Sequence, residues 1–344
     1  MSAEVATASA PGKLMLAGEY VVVERGVPAL SVSIGKRIEV EAARVVSGGL
    51  RAVTAGPVGG WTVTSEALGF IDEPVGKVPV LAEILQRIPG VPQSGRFTVK
   101  SQLGAGKDKP GLGSSAALCS AAASALWRLA GQNGAPELEL IIQAHRAAQG
   151  GRGSGYDVAT STQGGVVVFH PAPRSRPQAG PKVERIAWPS GLYAAAFSTG
   201  RAASTTELLG RVETWREEDA ESFEACIGPF AAETLAFIDA FRAQNVRAIL
   251  DAAAQVQEEL ATMDRIGDLG VLAGGQLQLL GVIEDHGAIG RTSGAGGGDC
   301  VWALTDDPER LETIAEVLEG GGFARQTPKG EPLGGPGASV GAAG

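Results

Sequence analysis

Residues 114–130 restrict the possible folds more than any other segment, because Arg128 is their only charged residue. The segment is rich in alanine and leucine, which favour helix formation, and a helix without a polar face has to be buried on nearly all sides. We therefore expect a central helix over these residues, with other layers of structure packed around it.

Directly before this helix the chain reads "KPGLGSS", which puts glycine at positions 111 and 113. Glycine in such a run costs conformational entropy on folding, so a compensating interaction is expected. One explanation is an anion held by backbone N–H groups at the start of the helix. The other explanation is an ordinary glycine turn that leads into a tightly packed helix. The segment taken alone favours neither.

The composition is that of a globular protein, and the length of 344 residues suggests two domains. Hydrophobic residues make up 44% of the chain and charged residues 19%, which is enough apolar material for a sizeable core. The net charge of −9 argues against general nucleic-acid binding, which needs a broad basic surface. It leaves room for a small anionic substrate, because a few basic residues can produce a local positive field.

The sequence indicates neither an export signal nor a membrane span. The stretch "MSAEVATASAPGKL" lacks a basic region followed by an apolar run, and no window supplies the roughly 18 apolar residues that a membrane helix requires. Cys119, Cys226 and Cys300 lie far apart and form no CxxC pair, which favours free thiols over disulfides. We expect a cytoplasmic protein, a monomer or a homodimer, that binds neither membranes nor nucleic acid.

Strand and helix patterns alternate along the whole chain, which predicts an α+β protein of two domains. Strands are expected at residues 4–9, 14–16, 26–34, 37–45, 95–101, 164–170, 191–199 and 298–305, and helices at 78–88, 114–130, 136–149, 222–242, 246–263, 277–286 and 308–319. Residues 171–189 are rich in proline, arginine and serine and form the best domain boundary. We expect domains at 1–175 and 190–327 and a flexible, glycine-rich tail at 328–344.

Two glycine-containing segments in the first third of the chain carry candidate chemistry. In "PGKLMLAGEY", residues 11–20, we expect Lys13 in a tight turn between two strands, where it is either aimed at a ligand or an ordinary surface lysine. In "GAGKDKPGLGSSAA", Lys107 and Lys109 precede the glycines, which differs from the Walker pattern. There, backbone N–H groups could hold a phosphate while Ser114 or Ser115 offers a hydroxyl to a cation.

Two later segments are also richer in glycine or charge than packing requires. In "QGGRGSGYDVATS", Asp157 is either the N-cap of a helix or a carboxylate pointed at a reacting group, with Arg152 as an anion clamp. In "SGAGGGDCVWAL", residues 293–304, four glycines within five residues precede a strand, and packing alone does not explain them.

The order of these segments resembles that of the GHMP small-molecule kinases. "PGKLMLAGEY" at 11–20, "GLGSSAA" at 111–117 and "GAGGGD" at 294–299 look like the three motifs of that family, and the resemblance extends to about residue 325. It implies an N-terminal domain with a left-handed βαβ unit, a C-terminal ferredoxin-like domain and ATP bound between them. The second motif would then be the phosphate loop.

Within the superfamily, the details resemble phosphomevalonate kinases. "GEY" at 18–20, "AHRAAQGGRGSGYDVA" at 144–159 and "STGRAASTTELL" at 198–209 are similar to segments of that subfamily. The resemblance implies phosphorylation of 5-phosphomevalonate to 5-diphosphomevalonate by ATP and Mg²⁺, in the mevalonate pathway of isoprenoid biosynthesis. The alternative is a mevalonate kinase that phosphorylates the 5-hydroxyl. A ligand-sensing module without activity is less expected, because Lys13 and Asp157 are both present.

The resemblance also implies a set of site residues. Lys13 and Asp157 would be catalytic, with Asp157 either a general base or a residue that orients Lys13. ATP would contact Lys107, Lys109, Gly111, Leu112, Gly113, Ser114, Ser115 and Ala116. The phosphorylated hydroxy acid would contact Tyr20, Arg152, Ser154, Arg201, Ser204, Thr205, Gly296 and Gly297.

One departure from the family pattern concerns the metal. Mevalonate kinases carry a metal-binding glutamate on the helix before the catalytic aspartate, but this chain has no carboxylate between Ala144 and Tyr156. Mg²⁺ would then be held by ATP oxygens, water and Ser115, or by a carboxylate from elsewhere in the chain.

Overall fold

The computed structural model of the chain describes residues 4–45, 60–67, 69–104, 110–151, 153–173, 175–201, 203–327, 329 and 333–340. Lys107, Lys109 and Arg152 therefore lie outside the described residues. Two sheets organise the rest, each with helices packed against it.

The first sheet belongs to the N-terminal part of the chain. Its strands are β1 (Val5–Ala17), β2 (Ala29–Arg44), β3 (Gly60–Ser65), β4 (Phe70–Pro74), β5 (Ser94–Ser101), β6 (Val166–His170), β7 (Lys182–Ile186) and the short β12 (Ser339–Val340). The main path through it runs β12-β1-β2-β5-β3-β4. The long β2 pairs with β1 along one edge, while its other edge pairs first with β6 and then with β5. Among the described ladders of this sheet, β3 with β5 is parallel and the others are antiparallel.

The helices of this part are α1 (Val21–Glu24), α2 (Pro79–Arg87), α3 (Ser114–Leu129), α4 (Leu138–Ala148) and α5 (Tyr156–Gln163). Helix α3 packs on β1 and β2 and is enclosed by α2, α4 and α5, so most of its side chains are buried. This confirms the central helix that the uncharged run predicts, and it brings the start of α3 against β1.

The second sheet has the order β11-β8-β10-β9 and is antiparallel. Its strands are β8 (Tyr193–Ser198), β9 (Ile289–Ser293), β10 (Cys300–Thr305) and β11 (Ala324–Arg325). Its helices are α6 (Thr205–Glu218), α7 (Ala220–Arg242), α8 (Val246–Gly267), α9 (Gly275–Asp285) and α10 (Pro308–Gly320). Strand β10 is buried on both faces: Val301 and Ala303 pack under α9 and α10, while Trp302 and Leu304 join the larger core.

The two parts meet along the second half of β1. The indole N–H of Trp302 donates to the carbonyl oxygen of Met15 over 2.8 Å, and the hydroxyl of Ser293 donates to the same oxygen over 3.1 Å. The N–H of Met15 donates back to the Ser293 hydroxyl over 3.1 Å. Lys13, two residues earlier on the same strand, therefore lies beside the contact between the two parts.

Strand β1 differs from the expectation of two short strands joined by a turn. It remains paired with β2 throughout, with register irregularities between Pro11 and Lys13 and between Met15 and Ala17. A bulge lets a strand accept an extra residue without ending its pairing, so Pro11 and Gly12 bend the strand but do not terminate it. The placement of Lys13 in a tight turn is therefore wrong, because Lys13 lies within a strand.

The boundary and the tail also differ from the expectations. Strand β7 falls inside the predicted linker and pairs with β6, so the first sheet extends beyond residue 175. Residues 333–340 lie against that sheet: β12 pairs with β1, and the Arg37 guanidinium donates to the carbonyl oxygens of Pro336 and Gly337 over 2.9 and 2.7 Å. The expected free tail is wrong for these eight residues, because backbone pairing and Arg37 hold them.

Cys119, Cys226 and Cys300 are free and buried, which confirms the expectation of thiols. In the described part of the chain, no helix combines the length and the apolar character needed to cross a membrane.

Candidate active site

A cavity of about 700 Å³ lies where the two sheets meet. Its lining draws on both parts of the chain and includes many of the residues assigned to the site from the sequence: Lys13, Tyr20, Gly111, Leu112, Gly113, Ser114, Ser115, Ala116, Ser154, Asp157 and Thr205. Gln149, Tyr156, Ser293 and Asp299 line it as well. The first and second glycine motifs, the segment around Asp157 and the third motif therefore converge on one place.

Lys13 is the buried cation of this cavity, with 7% of its surface exposed. Its backbone N–H donates to the carbonyl oxygen of Leu112 over 2.8 Å, and its Nζ donates to the carbonyl oxygen of Gly111 over 3.3 Å. The Nζ also lies 5.3 Å from the centre of the Tyr156 ring. These contacts fix the ammonium group between the loop before α3 and the start of α5.

The charges around Lys13 keep it protonated. Burial by itself lowers the pKa of a lysine, but Tyr156, Asp157 and Asp299 outweigh it, so the pKa of Lys13 is raised above its ordinary value. Burial also raises the pKa of the Tyr156 hydroxyl, even though Lys13 opposes that change. The site therefore presents a fixed positive charge to whatever enters the cavity.

The start of α3 faces this charge without a side-chain cap. Its N-cap residue is Gly113, in the left-handed conformation with φ of 76°. A Cβ at this position would lie 2.8 Å from Cγ of Lys13, so only glycine lets the loop approach the lysine so closely. The first N–H groups of a helix lack intrahelical partners and carry the positive end of the helix dipole. Beside Lys13, they form an anion-binding position.

The start of α5 resembles that of α3 only in part. Its N-cap is Gly155, with φ of 92° and no side chain to cap the helix, but the N–H of Tyr156 donates to the Ser154 hydroxyl over 3.4 Å. Asp157 is not the N-cap but belongs to the first turn, where its Oδ1 accepts from the N–H of Val158 over 2.9 Å. The preceding loop is held by Arg146 of α4, which donates to the carbonyl oxygens of Gly153 and Ser154 over 2.9 and 2.5 Å.

Asp299 adds a second carboxylate from the other sheet. Its side chain packs against the backbone of Gly111, and its Oδ1 accepts from the N–H of Ala203 over 3.1 Å. Burial raises the pKa of this carboxyl, while the bond from Ala203 and the charge of Lys13 oppose the rise. Asp299 was not among the residues assigned from the sequence, although its position directly after the third glycine run is a signal for it.

The loop that carries Tyr20 is held to the second sheet by a buried ion pair. The guanidinium of Arg291 donates to both carboxylate oxygens of Glu19 over 2.9 and 3.0 Å, and both side chains are fully buried. The hydroxyl of Tyr20 donates to the carbonyl oxygen of Ala295 in the third motif. Tyr20 thus has a structural bond and also lines the cavity.

Four predicted substrate residues do not line the cavity: Arg201, Ser204, Gly296 and Gly297. Ser204 is the N-cap of α6, where its hydroxyl accepts from the N–H of Glu207 over 3.3 Å. The glycines at 296 and 297 pack closely against Val271 and Leu208. Thr205 and Ser154 do line the cavity. Ser204 and Thr205 are neighbours, but the Ser204 side chain caps a helix while Thr205 lines the cavity.

Sequence reasoning also missed His145, Gln149 and Tyr156. His145 lies on α4 within 3.1 Å of the Ser115 hydroxyl, and its other ring nitrogen is 3.8 Å from Asp157. Tyr156 directly precedes Asp157, and Gln149 follows His145 by one helical turn. That spacing is the signal that could have identified Gln149, because residues four apart share a helix face.

The donors in the cavity suit Mg²⁺. Mg²⁺ prefers oxygen ligands and keeps several waters, and the cavity offers the hydroxyl of Ser115 and the carboxylates of Asp157 and Asp299. Among the described residues, no group of three or more His, Cys, Asp or Glu side chains could hold a metal by itself. This fits a cation held largely by substrate phosphates.

Comparisons with known proteins agree with this geometry. The family description "GHMP kinases N terminal domain" matches residues 78–165. A phosphomevalonate kinase from Streptomyces sp. (strain CL190) is 28% identical over 340 residues, covering 86% of this chain and 89% of the relative. A mevalonate kinase from Thermococcus sibiricus is 28% identical over 342 residues, covering 91% of this chain and 92% of the relative.

Among solved structures, a Streptococcus pneumoniae phosphomevalonate kinase in complex with phosphomevalonate and AMPPNP superposes with a TM-score of 0.74. It is 18% identical, and the superposition covers 93% of this chain and 98% of the other. The resemblance read from the three motifs and the α+β fold class are thereby confirmed.

Proposed function

We propose that this chain is a GHMP kinase that transfers the γ-phosphoryl group of ATP to 5-phosphomevalonate and forms 5-diphosphomevalonate. The observation that carries the proposal is the uncapped start of α3 directly beside the buried Lys13, in one cleft with Asp157. Similarity to a phosphomevalonate kinase over most of both chains supports the choice of substrate. The product would serve isoprenoid synthesis through the mevalonate pathway.

In this proposal the loop at 111–116 binds the phosphates of ATP. The residues at the start of α3 line the cavity and have no side-chain cap, so their N–H groups and the helix dipole would stabilise an anion there. Ser115, in the first turn, offers a hydroxyl to the cation that accompanies ATP. Mg²⁺, when bound, neutralises charge on the phosphates.

Lys13 would stabilise the transferred phosphoryl group. Phosphoryl transfer depends on alignment and on stabilisation of charge at the equatorial oxygens. The raised pKa of Lys13 keeps its ammonium charged at neutral pH, and its bond to the Gly111 carbonyl holds it beside the phosphate loop.

Asp157 would orient Lys13 when the acceptor is a phosphate. The second pKa of a phosphate monoester is about 6, so such an acceptor is already an anionic nucleophile at neutral pH and needs no general base. Asp157 is one of the charges that raise the pKa of Lys13, and both side chains line the same cavity, which supports an orienting role. With an alcohol as acceptor, the same carboxylate could serve as general base.

A mevalonate kinase is the second candidate, and the similarity to the Thermococcus sibiricus mevalonate kinase over 91% of this chain favours it. The two candidates differ only in whether the acceptor already carries a phosphate. An assay of ADP release with Mg-ATP, offering mevalonate and 5-phosphomevalonate separately at equal concentration, distinguishes them. Turnover with 5-phosphomevalonate alone supports the proposal. Turnover with mevalonate alone supports the second candidate, and no turnover with either excludes both.

A further inference from the structure

His145 is a buried polar side chain that the proposed mechanism does not use. Only 2% of its surface is exposed, although its neighbours on the inner face of α4, Ile141, Ile142 and Ala144, are apolar. An apolar residue would fill the same space, so a histidine at this position calls for polar partners on both ring nitrogens.

Both ring nitrogens of His145 face groups of the candidate site. Nε2 lies 3.1 Å from the hydroxyl oxygen of Ser115 and 3.2 Å from the side-chain amide nitrogen of Gln149. Nδ1 lies 3.8 Å from Oδ2 of Asp157. The imidazole therefore stands between the first turn of α3 and the first turn of α5, the two helix starts that open into the cavity.

These partners determine which ring nitrogen of His145 carries the proton. A carboxylate only accepts hydrogen bonds, so the nitrogen that faces Asp157 carries the proton, and Nε2 is left as an acceptor. Ser115 and Gln149 both have protons to donate to it. When the Ser115 hydroxyl donates to His145, both lone pairs of its oxygen are free for another partner.

We propose that His145 is a positioning residue that aligns Ser115 with Asp157. By accepting from the Ser115 hydroxyl, it aims the serine lone pairs at a cation bound with the nucleotide. With Nδ1 3.8 Å from Oδ2, its ring N–H restrains the carboxylate of Asp157 by electrostatic attraction. The role rests on the proposed function insofar as it concerns phosphoryl transfer, whereas the contact with Ser115 concerns only Mg-nucleotide binding.

Two amide substitutions separate the two contacts. The side-chain amide of glutamine reaches the position of Nε2, and that of asparagine reaches the position of Nδ1. His145→Gln therefore keeps the contact with Ser115 and loses the one with Asp157, while His145→Asn does the reverse. His145→Leu loses both. His286→Gln is the matched control, because His286 contacts the carbonyl oxygen of Val282 on its own helix and is not among the cavity residues.

The experiment measures Mg-AMPPNP affinity and steady-state turnover for each variant. Groups that orient metal ligands change metal affinity or activity by about 10- to 100-fold, and we expect the low end of that range. His145→Asn should lose about tenfold in Mg-AMPPNP affinity, and this loss should vanish when Mg²⁺ is removed with EDTA. His145→Gln should keep its affinity and lose about tenfold in kcat, and His145→Leu should show both losses.

The outcomes distinguish a positioning role of His145 from a purely structural one. They also distinguish failure of this role from failure of the proposed reaction. Equal losses in His145→Asn and His145→Gln, or lower thermal stability with unchanged affinity and kcat, would overturn the positioning role. If the wild-type protein turns over neither acceptor, the proposed reaction fails. The Mg-dependent difference in AMPPNP affinity between the two amide variants then still decides whether His145 aligns Ser115.

Discussion

Two groups of helices in this protein begin in different ways, while α2, α4 and α9, which also lack a side-chain cap, belong to neither group. Helices α6, α7, α8 and α10 each start at a side-chain cap, supplied in turn by Ser204, Asp219, Asn245 and Asp307. Helices α3 and α5 start at left-handed glycines without a side-chain cap. The first group lies in the C-terminal part of the chain, and the second opens into the cavity.

A side-chain cap contributes to helix stability, whereas the start of α3 without one is suited to anion binding. A cap satisfies N–H groups within the chain and stabilises the helix by about 1 kcal/mol. The start of α3 has no such cap and keeps its first N–H groups available for an anion, whereas at α5 the side chains of Ser154 and Asp157 accept from the N–H groups of Tyr156 and Val158. Ser114 and Ser115 follow Gly113 directly, so a serine was at hand to cap α3, but it lies one residue too late along the chain.

The largest effect is expected from Asp157→Asn in the first turn of α5. In the proposed role it removes the negative charge that orients Lys13, and misplacement of a catalytic group by about 1 Å can cost about 10²-fold in rate. We expect kcat to fall at least that far while the affinity for Mg-AMPPNP stays within about twofold of wild type. Steady-state kinetics and nucleotide titration measure the two quantities.

Glu309→Gln is the matched control for this charge. It removes an acidic side chain from the first turn of α10, which Asp307 caps, and it should leave kcat unchanged. A large loss of nucleotide affinity in Asp157→Asn would show that Asp157 acts on ATP binding rather than on Lys13.

The second effect concerns the glycine that caps α3. Gly113→Ala puts a methyl group against the side chain of Lys13 in a backbone conformation that alanine rarely adopts. We expect kcat/KM for ATP to fall by about 10²-fold, because both the helix start and the lysine have to move. Gly134→Ala is the control, since Gly134 has a similar φ of 72° but nothing within 4 Å of its Cβ position. Equal losses of activity in the two variants would mean that backbone strain alone is responsible.

The sequence predicted the elements that local patterns determine. The expected helices at 114–130 and 308–319 agree with α3 and α10 to within a residue or two, because composition and caps mark their ends. The motifs brought Lys13, the 111–116 loop and Asp157 to one cavity. What they could not give was β1 as a continuous strand, since its pairing across Pro11 depends on β2, a separate segment that follows α1.

The site residues that the sequence did not identify were missed for the same reason. His145 sits in a helix whose amphipathic pattern reads as packing, and its partners Ser115 and Asp157 lie in other helices. Arg291 lies in a segment to which the sequence patterns assigned no helix or strand, and only the fold places it against Glu19. Contacts between distant segments leave no local signal in a single sequence.

A smaller effect is expected from removing the best-formed cap. In Asp307→Ala, the N–H groups of Glu309 and Arg310 lose the carboxylate that accepts from both over 2.9 and 3.2 Å. We expect the free energy of unfolding to fall by about 1 kcal/mol, with kcat and KM unchanged. Chemical denaturation and steady-state kinetics measure these effects. A change in kcat would contradict the separation between capped helices and the cavity.

The smallest effect is expected from Ser204→Ala. This variant tests whether a residue that caps a helix can also bind substrate, because the start of α6 lies beside the cavity. The Ser204 hydroxyl accepts one bond of 3.3 Å at an exposed position, so its loss should cost about 0.5 kcal/mol or less. The next residue, Thr205, lines the cavity, and Ser204 was itself predicted to bind the substrate. If Ser204 only caps α6, the KM for the acceptor stays unchanged in Ser204→Ala and rises in Thr205→Ala. An equal rise in both variants would mean that the start of α6 serves the substrate as well as the helix, and that capping and binding can share one residue.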